Sequence, residues 1–131
     1  PSEICDLSEL EALTMSLNRL RRLPTNIDRL QNLKYLDLSY NGFDTLPQNI
    51  GNLENLEVLN LSYNILKELP DSIVHLENLR VLDLRKNLLK TLPREISRMK
   101  KLRELNLRGN PISKRAKTMI KTRLPYCEIK F

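Results

Sequence analysis

Tryptophan is absent, histidine occurs once, at His75, and the only glycines and cysteines in the 131 residues are Gly42, Gly51, Gly109, Cys5 and Cys127. Each scarcity removes a class of chemistry. His75 lies between Val74 and Leu76 with no cysteine or second histidine at ligand spacing, so it reads as a surface residue and no metal site is expected. Three isolated glycines build no phosphate-cradling loop. Neither cysteine has a histidine near it to activate a thiolate, and Ser39 and Ser62 recur as parts of a repeated pattern rather than as nucleophiles. No run approaches the roughly 18 uncharged apolar residues of a membrane-crossing helix, and no signal segment opens the chain. Neither catalytic residues nor a cofactor are expected, and the chain does not read as an enzyme.

What the sequence does have is a period. Pro1, Pro24, Pro47, Pro70 and Pro93 stand 23 residues apart, the mark of one structural unit copied along the chain. Between Leu56 and Asn78 the unit reads Leu56, Leu59, Leu61, Asn64, Leu66, Leu69, Pro70, Ile73 and Leu76, and equivalent anchors start at 10, 33, 79 and 102 without insertion or deletion. The alternation around Leu59, Asn60 and Leu61 predicts a short strand with one buried face. After the asparagine the apolar spacing becomes three and proline removes a donor, which predicts a return made of loop or short helical turns. The column Asn18, Asn41, Asn64, Asn87 and Asn110 is expected to satisfy backbone groups orphaned by the bend after each strand. No unit buries its leucines alone, so stacking must complete the core.

The two ends differ. Residues 1–9 fit the second half of a unit, with Ile4, Leu7 and Leu10 at the offsets of Ile27, Leu30 and Leu33, so the numbering opens partway through a repeat and an upstream coil or cap is expected. At the other end Ala116 stands where the next proline was due. Ile112, Ala116, Met119, Ile120 and Leu124 then follow helical spacing, with Ser113 as N-cap and Pro125 as the stop, and Cys127, Ile129 and Phe131 alternate as a final edge strand. About five coils at ~4.8 Å separate Cys5 from Cys127 by roughly 24 Å, too far for a disulfide. Unpaired thiols lean toward a reducing, cytoplasmic setting.

These residues resemble the leucine-rich repeat family: Leu-x-x-Leu-x-Leu-x-x-Asn-x-Leu over residues 10–112, in the 23-residue subclass with Leu-Pro-x-x-Ile-x-x-Leu in the return. Leu124-Pro125-Tyr126-Cys127-Glu128-Ile129 resembles the terminal caps of bacterial members. The resemblance implies an α/β solenoid, a curved right-handed horseshoe with a parallel sheet on its concave face and loops and short helical turns on its convex face. The expected organisation is a single domain over 1–131: half a repeat at 1–9, five repeats starting at 10, 33, 56, 79 and 102, and a helix-strand cap at 113–131. The implied role is protein–protein interaction as a scaffold, often attached to another domain.

Outward-facing strand positions form rows. Tyr35, Val58 and Val81 make one, Tyr40 and Tyr63 another, and Arg85, Lys86 and Arg108 add positive charge beside them. Tyrosine and arginine are enriched in binding hot spots, so this patch is the candidate partner-binding site, against the plain reading that Ser-Tyr-Asn at 39–41 and 62–64 is repeat filler. The middle row, Thr14, Asp37, Asn60, Asp83 and Asn106, is family consensus. Residues 1–78 carry net −6 and residues 79–131 net +12. The basic end, through Lys114, Arg115, Lys117, Lys121 and Arg123, is a candidate anion site for docking on nucleic acid, an anionic membrane or an acidic protein, or else a solvated surface. Two of its cations occupy the first turn of the expected helix, where the macrodipole disfavours them. The exposed first coil leaves either a monomer or end-to-end association of the array, and a third reading makes the coils a regulatory or assembly segment of a larger polypeptide.

Overall fold

A computed structural model describes residues 2–131; Pro1, and the turn expected of it, lie outside the described residues. Six three-residue strands, β1 (Ala12–Thr14), β2 (Tyr35–Asp37), β3 (Val58–Asn60), β4 (Val81–Asp83), β5 (Glu104–Asn106) and β6 (Glu128–Lys130), form one parallel, unclosed sheet in chain order. Registers repeat the 23-residue period: Leu13 pairs with Leu36, Leu36 with Leu59, Leu59 with Leu82 and Leu82 with Leu105. The central residue of β2 to β5 points inward and is buried, while its neighbours Tyr35, Asp37, Val58 and Asn60 keep outward exposure. Alternation along each strand therefore turns one leucine per coil into a continuous spine.

The return half follows from the three-residue apolar spacing. Pro47 and Pro70 are extended, and short 3₁₀ turns follow at Gln48–Asn52 and Asp71–His75, with equivalents at Ile27–Arg29 and Arg94–Arg98. The Ile50 amide donates to the Pro47 carbonyl, Leu53 to Ile50 and Leu56 to Leu53, so a bond every three residues keeps Ile50, Leu53 and Leu56 on the buried side. Val74 is also buried, an addition to the anchors read from the pattern. Neighbouring turns approach so closely at Gly51 that a Cβ there would collide with the Ser72 carbonyl.

Asparagines tie coil to coil. Asn64 Nδ2 donates to Leu61 O within its own coil and to Leu38 O in the preceding one, both at 3.0 Å, while its Oδ1 accepts from Phe43 N. Asn87 repeats this with Leu84 O, Leu61 O and Leu66 N, and Asn41 and Asn110 do the same in their coils. Among the described residues, the Nδ2 of Asn18 donates only to the Met15 and Ser16 carbonyls of its own coil. A second column on the return side was not anticipated. Asn32, Asn55 and Asn78 each donate to a carbonyl 24 residues earlier, Ser8, Gln31 and Glu54.

At the C-terminal end, α1 (Lys114–Arg123) starts at Ser113, whose Oγ accepts from Ala116 N at 3.1 Å. Ile112, Ala116, Ile120 and Leu124 are buried at four-residue intervals. Met119 departs from its expected inward place and is 42% exposed, because the stripe facing the core is narrow enough for one residue per turn to fill it. Leu7 departs likewise: it is 53% exposed on the first described coil, which among the described residues packs against a coil on one side.

Asn87 is buried and its side chain serves two coils, whereas Asn18 is exposed and serves one. Asn87→Ala is expected to cost about 2 to 5 kcal/mol in denaturant unfolding by orphaning buried backbone groups, and Asn18→Ala about 1 kcal/mol or less. Equal losses would contradict the bridging role.

Candidate functional site

Three outward rows cross the sheet. In the middle row, Asp37 Oδ1 accepts from both the amide and hydroxyl of Ser39, and Asn60 Oδ1 accepts from both groups of Ser62, so this row fastens the turn after each strand. Asp83 fastens its turn through Arg85 N at 3.1 Å and also holds the Arg85 guanidinium in a fork, Nη2 to Oδ2 at 2.8 Å and Nε to Oδ1 at 3.0 Å. That carboxylate holds the Arg85 pKa above its ordinary value. Arg85 and Arg108 occupy the positions that Ser39 and Ser62 hold in earlier coils, with Arg108 N donating to Asn106 Oδ1. Tyr35, Val58 and Val81 form a second row in direct register, continued by Glu104 and Glu128. Desolvation, followed by the Asp37 carboxylate, pushes the Tyr35 hydroxyl pKa up.

The third row lies where each strand ends. Leu17, Tyr40, Tyr63 and Lys86, spaced by 23, all adopt the left-handed backbone region, with φ of 62°, 54°, 57° and 56°, and the next position is Gly109 at 79°. Each of the four non-glycine amides donates to the carbonyl of the following coil, Ser39, Ser62, Arg85 and Arg108 respectively, which holds the turn in that conformation. The rings of Tyr40 and Tyr63 stack with centroids 4.3 Å apart and planes 7° from parallel. Desolvation and the adjacent Tyr63 hydroxyl raise the Tyr40 pKa.

The expected patch is thus two surfaces. Tyr40, Tyr63 and Lys86 share an open cleft with Leu17, Arg19, Asn41 and Asn64, while Tyr35, Val58 and Val81 lie across the strands from it, and Arg85 sits between, committed to Asp83. Leu17 and Arg19 were missed, although stepping back 23 residues from Tyr40 reaches Leu17. On α1 the five candidate anion-binding residues do not converge, and Arg123 lines a separate cleft with Met99 and Arg103. Lys117 and Lys121 place their ammonium groups 5.5 and 5.6 Å from the Phe131 ring, while Lys114 and Arg115 are exposed in the first turn. Among the described residues no three His, Cys, Asp or Glu side chains gather as metal ligands, and no helix is long and apolar enough to cross a membrane.

Residues 25–124 match the family model described as "Leucine-rich repeat region". Over its whole length the chain is similar to a solved leucine-rich repeat protein of Leptospira interrogans, at 38% identity and a TM-score of 0.83, covering 39% of that chain. It also shares its fold with an internalin from Listeria monocytogenes, at 20% identity and a TM-score of 0.81 over 99% of this chain and 37% of the other. The chain therefore spans less than half the length of either. No curated protein matches it.

Both thiols are free, and burial is the first cause of their raised pKa, which for Cys127 reaches about 11. A raised pKa leaves the unreactive thiol dominant at pH 8, so alkylation of Cys127 is expected to run on the order of a hundredfold slower than for an ordinary cysteine and to recover as pH rises toward 11. Rapid labelling of the folded protein at pH 8 would contradict this environment.

Proposed function

Because the chain belongs to the leucine-rich repeat family, we propose that it is a non-catalytic module that binds a protein or peptide on the concave face of its parallel sheet. The observation that carries this reading is the stacked Tyr40–Tyr63 pair, which presents aromatic area in an open cleft of about 550 Å³ rather than in the core. Such rings bury much surface with little loss of rotamer freedom, and their hydroxyls remain available to a partner's polar groups. Val58 and Val81 offer an adjoining half-buried apolar row, and Arg108 an exposed cation.

Support also comes from how the remaining polar groups are used. Asp37, Asn60, Asp83 and the column from Asn41 to Asn110 are occupied with the backbone, and the Ser39 hydroxyl that Asp37 holds belongs to the turn this pair closes. The alternative of docking through the basic end is weaker, since Phe131 already engages two of its lysines and the buried stripe of α1 faces the core.

Replacing Tyr40 and Tyr63 together with alanine is expected to weaken capture of the native partner by about tenfold or more. The core should persist, with stability falling by no more than about 1.5 kcal/mol for the lost stacking. Undiminished capture by this double variant would overturn the reading.

A further inference from the structure

We propose that the strip of Leu17, Tyr40, Tyr63 and Lys86 seats an extended acidic peptide segment that crosses the coils, with an apolar side chain on the tyrosine pair and carboxylates at Arg19 and Lys86. This inference rests on the protein-binding reading above and names the chemistry of the partner.

The backbone supplies the first argument. The left-handed conformation costs a non-glycine residue about 1 kcal/mol, and Gly109 occupies the equivalent place in the last repeat without that cost. Four successive coils nevertheless carry large side chains there. These side chains are not used to fill the core: Leu17 is 74% and Tyr40 49% exposed. Lys86 lies along the same row, its aliphatic stem in the space that a Cβ at position 109 would take.

Charge supplies the second. No carboxylate lines the cleft, and Arg19 and Lys86 stand among its walls. Among the described residues neither cation's side chain makes an ion pair or hydrogen bond, while Asp83 in the neighbouring row is held by Arg85. Two unpaired cations flanking an aromatic ledge complement carboxylates flanking an apolar residue. Spacing fixes the register. Arg19 and Lys86 belong to coils three steps apart, roughly 14 Å at about 4.8 Å per step, which an extended peptide covers in about four residues. A single-stranded nucleic acid fits less well, because the stack of Tyr40 on Tyr63 uses up one face of each ring that a base would otherwise take.

The test is selection of random nonapeptides on the full chain, run in parallel on the double variant Arg19→Glu, Lys86→Glu and on Tyr40→Ala, Tyr63→Ala, with each variant's fold checked by denaturant unfolding. The native chain is expected to enrich peptides with two Asp or Glu about four residues apart around an apolar residue, and the charge-reversed variant to bind them about tenfold more weakly and enrich Lys and Arg instead. Neutral or basic peptides lost only in the tyrosine variant would overturn the acidic specificity and leave the protein-binding reading standing. Peptides indifferent to both variants would overturn both. An oligodeoxythymidylate that displaces the selected peptides from the strip, or the absence of any enriched peptide, would overturn the inference.

Discussion

A three-residue strand and a 3₁₀ turn cannot enclose a hydrophobic core, so every coil must use the flank of its neighbour as the wall it lacks. That requirement accounts for the invariant 23-residue spacing. One inserted residue would move Leu59 out from between Leu36 and Leu82, and it would also take Asn64 away from the Leu38 carbonyl that it reaches across the coil boundary. Leucine burial supplies the attraction, and asparagine supplies the satisfaction of polar backbone that burial would otherwise leave unpaired. Each depends on the other: the buried Asn64 and Asn87 are tolerated because the stacked leucines place their partners within reach.

The same constraint divides the surface into places that are free to vary and places that are not. Asp37, Asn60 and Asp83 face outward, yet each closes the turn behind its strand, so outward direction alone does not make a recognition residue. The row from Leu17 to Lys86 is different. Its backbone is set by the fold, its side chains are not, and four coils fill it with bulk and charge where glycine would satisfy the backbone. The exposed pairs Arg29–Asp6, Lys34–Glu11 and Arg80–Glu57 also link equivalent positions of adjacent coils, but at such exposure each contributes little to stability.

Most of the fold was legible because its determinants are residue types at fixed intervals: alternation gave the strands, three-residue spacing gave the returns, and the first asparagine column fell on the period. The second column, Asn32, Asn55 and Asn78, has the same period but sits among charged residues on the return side, where polar repetition looks like ordinary solvation. Met119 and Leu7 were misjudged for one reason, that hydrophobicity at the right offset does not supply a neighbour to pack against. The candidate surface was less legible than the core. Nothing in the letters of Tyr40 and Tyr63 announces a left-handed backbone; the only residue of that row with such a preference is Gly109. The attraction of Lys117 and Lys121 to Phe131 joins α1 to the end of β6, a contact that charge counting does not register.

Native-state hydrogen exchange of the Leu38, Leu61 and Leu84 amides addresses the mutual dependence of the coils most directly, since each donates to the next coil, to the carbonyls of Asn60, Asp83 and Asn106. If adjacent coils complete one another's core, the three amides open together, with free energies within about 1 kcal/mol of each other and of global unfolding. Three widely separated opening free energies, each coil releasing its amide without its neighbours, would contradict the account.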